Sequence, residues 1–192
     1  MKTNEFTPKE SLELIDQVIQ QAKNRFEENG FAFILWGTLI ALCCFTQAYL
    51  IHIGMGAQRW YPYLIMPLAS VFTIMYYAKK RDYERNALKR VSSRLWLFTG
   101  INIMIIAFGF SNQLQNHLTP IILLLLGIAT AVAGSFIRSS LLLFCGIVLN
   151  LSAYAAFFIP WKQHPLLMGI VSLFAFLLPG ILLYLKQKKH SV

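Results

Sequence analysis

Six runs of apolar residues with lengths near that of a membrane-crossing helix, the third (Leu95–Ser111) short for a span unless it extends into its flanks, leave this chain few ways to fold. They extend approximately over Phe31–Ile53, Trp60–Ala78, Leu95–Ser111, Pro120–Ile137, Leu141–Ile159 and Leu166–Leu185. An α-helix rises 1.5 Å per residue, so about 20 residues cross roughly 30 Å of hydrocarbon. Lipid offers no partner for backbone N–H and C=O groups, so each run must close its own hydrogen bonds as a helix. Charged residues make up only 13% of the 192, against about 25% in a soluble domain. The pattern predicts an all-α, polytopic integral membrane protein with six transmembrane helices in three hairpins. Residues 1–30 are expected to form a cytoplasmic amphipathic helix, 31–185 the six-span domain and 186–192 a basic tail.

The orientation follows from the stretch KKRDYERNALKRVSSR at 79–94. It holds seven of the seventeen Lys and Arg residues, between the second and third runs. When the loops are assigned alternately to two sides, the side with both termini carries fifteen of these bases. The other side carries Arg59 and Lys162 alone. Such asymmetry places the basic side in the cytoplasm. The net charge of +9 is then topology, and the expected partners are membrane lipids and protein, with no nucleic acid. The first thirty residues carry six acids and no apolar core of a signal peptide, so Phe31–Ile53 is expected to act as an internal insertion signal and the chain to begin at Met1.

Ahead of the first run, Thr7-Pro8-Lys9-Glu10 reads as a helix start, with Thr7 as N-cap and Glu10 closing a capping box. Leu12, Leu14, Ile15, Val18, Ile19, Ala22 and Phe26 then share one face at 100° per residue, with polar residues opposite. Residues 8–28 carry three bases and five acids, a net charge that an anionic leaflet repels. The apolar face, chiefly Leu12, Ile15, Ile19, Ala22 and Phe26, is therefore expected to bind a protein partner or a second copy of the chain. Glu10-Ser11-Leu12, Ala22-Lys23 and Asn29-Gly30-Phe31-Ala32-Phe33-Ile34-Leu35-Trp36-Gly37 together resemble the start of an uncharacterised family of small multi-span bacterial membrane proteins. That resemblance implies an amphipathic amino-terminal helix, a Gly-Phe-x-Phe-x-x-Trp-Gly lead-in to the first span, and several further spans. The family brings no agreed activity and so no catalytic residue.

Inside the runs, Gly127, Ala131 and Ser135 recur every four positions, with Thr130 and Gly134 alongside. Such small residues let helix backbones approach closely in lipid. The third and fifth runs echo one another at Leu97–Asn102 and Leu143–Asn150. Asn102 and Asn150 are expected to hydrogen-bond between helices, the alternative being a paired substrate contact. Pro67 and Pro179-Gly180 are expected to kink the second and sixth runs, and Cys43, Cys44 and Cys145 to pack as small apolar residues.

Chemistry finds little footing. No acidic residue follows Glu84, and none lies in any run, whereas intramembrane proton and ion pathways use ionisable groups. No zinc-protease, paired-aspartate or serine-elbow motif is present, and no cofactor is expected. His52, His117 and His164 fall one per hairpin at the extracytoplasmic ends. Three imidazoles can hold zinc, copper or haem iron, but no acid on that side would orient them, so they read as independent interface residues. The expected function is non-catalytic, a scaffold or regulatory subunit acting through its cytoplasmic helix and basic loop. The alternative is a small-molecule transporter built from repeated hairpins, and an enzyme using the histidines is the third reading.

Overall fold

A computed structural model describes residues 12–14, 30–79, 87–136 and 139–190, with backbone alone at 57, 77–79, 87–90 and 186–190. The principal helices are α1 (Gly30–His52), α2 (Ile65–Lys79), α3 (Ala87–Met104), α4 (Leu118–Phe136), α5 (Ser140–Ala156), α6 (His164–Ser172) and α7 (Leu178–His190). Among the described residues there is no strand. Four helical stretches are long and apolar enough to cross a membrane: Gly30–His52, Val91–Gly109, Ser111–Phe136 and Trp161–Leu185. Two more, Tyr61–Tyr76 and Ser140–Ala156, are apolar but shorter.

Local chemistry sets the ends of these helices. Pro62, Pro120 and Pro165 each lie in the first turn of a helical segment, where the missing N–H has no partner to lose. Pro67 lies in the first turn of α2, directly after the tighter 3-10 segment Tyr61–Leu64. The irregularity it demands is thus a change of helix type at the start, not the mid-span kink expected from the sequence. Pro179 is a true interior proline. Its ring excludes the α-helical bond to the carbonyl four residues back, and the π turn Leu173–Leu177 immediately precedes it, joining α6 to α7. α1 stops at Gly54, whose φ of +79° suits a residue without Cβ. There the Met55 amide donates to Leu50 O at 2.9 Å and the Gly54 amide to Ile51 O at 3.2 Å, closing the carbonyls that a helix end leaves open.

Two antiparallel pairs form the core. In the first, α1 runs against α6–α7: Gly30 meets Gly180 and Tyr184, Gly37 meets Phe176 and Leu177, and Gly169 meets Cys44 and Phe45. In the second, α4 runs against α5: Gly127 meets Asn150, Gly146 meets Ala131, and Gly134 meets Leu142 and Leu143. Each step along one helix is matched by an equal step back along the other, so both pairs keep one register throughout. A methyl group built on Gly37 would stand 2.6 Å from the Leu177 nitrogen, and one on Gly146 would stand 2.5 Å from the Ala131 nitrogen. Only glycine fits at that approach. Phe33, Ile40, Leu123, Leu142, Leu149, Ala153 and Phe176 join the pairs in one buried cluster.

Because Gly30 lies beside Tyr184, the described chain enters and leaves the bundle at one end, called here the terminal end. α2 lies outside the core, tied to α1 near its two extremities by the Phe31–Tyr76 ring contact at 5.0 Å and by Tyr63 near Gln47. α3 leans on the core through Trp96, whose ring meets Phe33 edge-on at 6.0 Å. The strongest pairings, α4 with α5 and α1 with α6–α7, thus join apolar runs that the sequence assigns to different hairpins. Of the amino-terminal helix, Leu12–Leu14 are helical with exposed side chains, while Ile15, Ile19, Ala22 and Phe26 lie outside the described residues.

Candidate functional site

Polar side chains converge at the end of the bundle opposite the termini, the distal end. The α1–α2 turn folds back so that Pro62 and Tyr63 meet the last turns of α1. The Tyr63 hydroxyl donates to Gln47 Oε1 at 2.8 Å. With its proton so committed, its oxygen accepts the Cys44 thiol at 3.3 Å, and the Cys43 thiol donates to Pro62 O at 3.2 Å. Cys44 and Gln47 are buried, so this chain of contacts has no water to replace a missing member. Cys43 and Cys44 are thus more than the fillers expected from the sequence. Cys145, by contrast, is buried within the apolar cluster.

Beside this chain, the Arg59 guanidinium lies between two indoles, 5.2 Å from the Trp60 ring and 5.0 Å from the Trp161 ring. Those rings belong to different turns, α1–α2 and α5–α6, and the cation joins them by cation–π attraction. His164 Nε2 stands 2.9 Å from both Ala156 O and Ile159 O. A ring N–H shared between these carbonyls caps the end of α5, so buried His164 is not an independent interface residue. His117 is exposed against Phe157 at 5.8 Å, and His52 is exposed at the end of α1. The three imidazoles do not converge. Among the described residues, no three His, Cys, Asp or Glu side chains lie close enough to hold a metal ion.

The other intramembrane polar groups are satisfied one by one within their own helices. Asn102 Nδ2 donates to Phe98 O and Asn150 Nδ2 to Gly146 O, both at 2.8 Å. The interhelical bonds expected of these two amides are replaced by bonds to the preceding turn, which a short side chain reaches without any neighbour. Asn150 nevertheless packs across the α4–α5 contact on Gly127, while Asn102 is exposed. Thr130 is buried and bonds Leu126 O at 2.7 Å. Ser135 is exposed and bonds Ala131 O at 2.9 Å.

Within α4, Gly127, Ala131 and Gly134 lie at the contact with α5 and Ser135 does not. Two steps of four residues drift about 80° around a helix, whereas seven residues return within about 20°. The seven-residue spacing of Gly127 with Gly134 recurs in Gly30 with Gly37 and in Leu142 with Leu149 and Ala156. It is the periodicity the sequence offered for finding the α1 face as well. An open groove of about 310 Å³ on the outer side of α6–α7 is lined by Leu173, Phe174, Leu177, Leu178, Ile181 and Leu182. That lining can accept acyl chains and has nothing to offer a polar solute. No family model, curated protein or solved structure matches this chain.

Proposed function

We propose that the chain is a six-span, non-catalytic membrane protein that acts as a scaffold or regulatory subunit through its amino-terminal helix and its basic loop. The observation that carries this reading is the self-contained bonding of the intramembrane polar groups. Asn102, Thr130, Ser135, Asn150 and Ser152 each bond the preceding turn of their own helix, so they present no shared point to a substrate. A transporter would need such groups to line a common path.

Six crossings are supported by the alternation of the helices. α5 lies antiparallel along α4, so wherever α4 crosses the bilayer α5 crosses back. The 3-10 segment Tyr61–Leu64 adds about 8 Å to the roughly 22 Å of α2, which together match the hydrocarbon thickness. Of the nine Lys and Arg among the described residues, seven (Lys79, Lys89, Arg90, Arg94, Lys186, Lys188 and Lys189) belong to the terminal-end portions of α2, α3 and α7, which favours a cytoplasmic terminal end and an inner-membrane location in a bacterium. The exposed Leu12 and Leu14 belong to the apolar face offered to a partner.

The test is purification of the intact chain in mild detergent beside an Ile15→Asp, Ile19→Asp variant. A stoichiometric protein retained by the wild type and lost from the variant supports the scaffold reading. Saturable, gradient-driven uptake of a solute into sealed vesicles overturns it in favour of a transporter.

A further inference from the structure

We infer that Arg59, held between Trp60 and Trp161, forms with Lys162 a binding site for the phosphate of an anionic lipid headgroup at the distal face. A guanidinium is planar, with its five N–H donors in that plane. Two indole rings lie within cation–π range of it, their centroids 5.2 and 5.0 Å from Cζ. An indole face attracts the cation without accepting its N–H donors as a carboxylate would, so the fork keeps its capacity for an anion.

Among the described residues, that fork has no acceptor. The structure gives Arg59 no hydrogen bond or ion pair, and Glu13 is the only carboxylate among the described residues. All eight acids fall within 5–28 and 82–84. In sequence these segments precede α1 and follow α2, whose Phe31 and Tyr76 meet at the terminal end, away from Arg59. Lys162, exposed in the neighbouring turn beside Trp161, adds a second cation without a counter-charge. An anion must therefore come from the surroundings. A phosphodiester offers the two coplanar oxygens that an arginine fork binds in parallel.

The depth selects the lipid. Arg59 follows the end of α1 by seven residues, in a turn flanked by Trp60, Tyr61 and Trp161, side chains suited to the headgroup layer. Phosphate there is attached to acyl chains, and the distal face would seat it between the two turns that Arg59 joins. This inference uses the membrane orientation proposed above but not the scaffold role, and lipid binding can fail while partner retention succeeds.

The experiment reconstitutes the full chain in nanodiscs of phosphatidylcholine with a minor fraction of phosphatidylglycerol, then counts retained lipids by native mass spectrometry. Basic residues at the terminal end hold phosphatidylglycerol in every variant, so the site is read as a difference between proteins. The wild type is expected to retain one more phosphatidylglycerol than Arg59→Gln, with about a tenfold weaker preference at that site in the variant. Trp161→Leu keeps the charge but removes one of the two rings, and should weaken the preference about threefold. Arg59→Lys keeps the charge without the planar fork and should fall between wild type and Arg59→Gln. It also serves as the test if Arg59→Gln fails to fold. Equal retention by wild type and both Arg59 variants overturns the site. Displacement of the extra lipid by millimolar inorganic phosphate overturns its assignment to a lipid.

Discussion

α1 and α3 are similar in sequence character and opposite in fate. The apolar stretch of α1 has a mean hydropathy of 1.8 and that of α3 and its extension 1.5, yet 39% of the first is buried within the chain and none of the second. Hydrophobicity does not separate them, because lipid receives an apolar side chain as readily as a neighbouring helix does. Glycine placement does. Gly30 and Gly37 of α1 press against the backbone of α7 and the turn before it, whereas Gly100 and Gly109 have nothing within 4 Å. The core is selected by shape, and α2 and α3 keep large side chains such as Leu68, Phe72 and Phe98 turned outward.

The widest separation between the two regions should come from truncating large side chains. Leu149 is fully buried between the helix pairs, and Leu149→Ala should cost about 2–5 kcal/mol of stability. Phe98, 62% exposed on α3, loses only lipid contact, and Phe98→Ala should change stability by less than about 0.5 kcal/mol. Unfolding in mild detergent by titrated denaturant compares them. Equal losses would mean that α3 is packed as tightly as α5, and the division into core and periphery would fall.

Adding one methyl group should show a smaller contrast of opposite sign. Gly146→Ala forces a Cβ onto the Ala131 backbone and should cost about 1–3 kcal/mol. Gly100→Ala meets open space and gains helix propensity, worth up to about 1 kcal/mol. Thermal unfolding of the two variants should therefore move in opposite directions. If Gly146→Ala is neutral, the register of the α4–α5 pair is not the one described.

How much of this was legible follows from the physics of each signal. Six apolar runs and their caps are local, and the helices stand where those runs lie. Pro62, Pro120 and Pro165 open helical segments because their chemistry acts within one turn. Pairing is different. It depends on which face each helix turns inward, and the four-residue ridge Gly127-Ala131-Ser135 pointed about one residue away from the contact, which passes through Gly134. The partnership of α1 with α6–α7 links the two extremes of the chain, and only the seven-residue spacing of Gly30 and Gly37 hinted at it. At the distal end, His164 looked like a loop residue because a capping bond to Ala156 O depends on how the α5–α6 turn closes. The link from Tyr63 to Gln47 and Cys44 was hidden for the same reason: three unremarkable residues meet only once the α1–α2 turn has formed.

That link offers a test of how α2 is held. Tyr63→Phe removes the hydroxyl that serves both Gln47 and Cys44, leaving a buried amide oxygen without its donor. The expected loss is about 1–2 kcal/mol, and it should fall on the attachment of α2, not on the core pairs. Cys44 reports it: reaction with a small membrane-permeant thiol reagent should quicken in Tyr63→Phe, while Cys145, buried in the apolar cluster, reacts as slowly as before. Equal acceleration at both cysteines would show that α2 and the core loosen as one unit.

The smallest effect belongs to the two asparagines, and it bears directly on function. Their sequence contexts are alike, but the regions they occupy are not. Asn102 is exposed on α3 and bonds only its own helix at Phe98 O, so Asn102→Ala removes a bond that lies wholly within one helix and should shift stability by less than about 0.5 kcal/mol. Asn150 makes the equivalent bond to Gly146 O but also fills the space over Gly127. Asn150→Ala should therefore cost somewhat more, about 1 kcal/mol, through lost packing across the α4–α5 contact. A substrate pair would behave differently: both variants would lose the same ligand-dependent stabilisation, whatever their effect on the empty protein. Thermal shifts measured with and without candidate solutes separate the cases. Unequal costs with no solute dependence fit two helix-bound amides in different packing environments, and a shared, solute-dependent loss would reinstate the transporter.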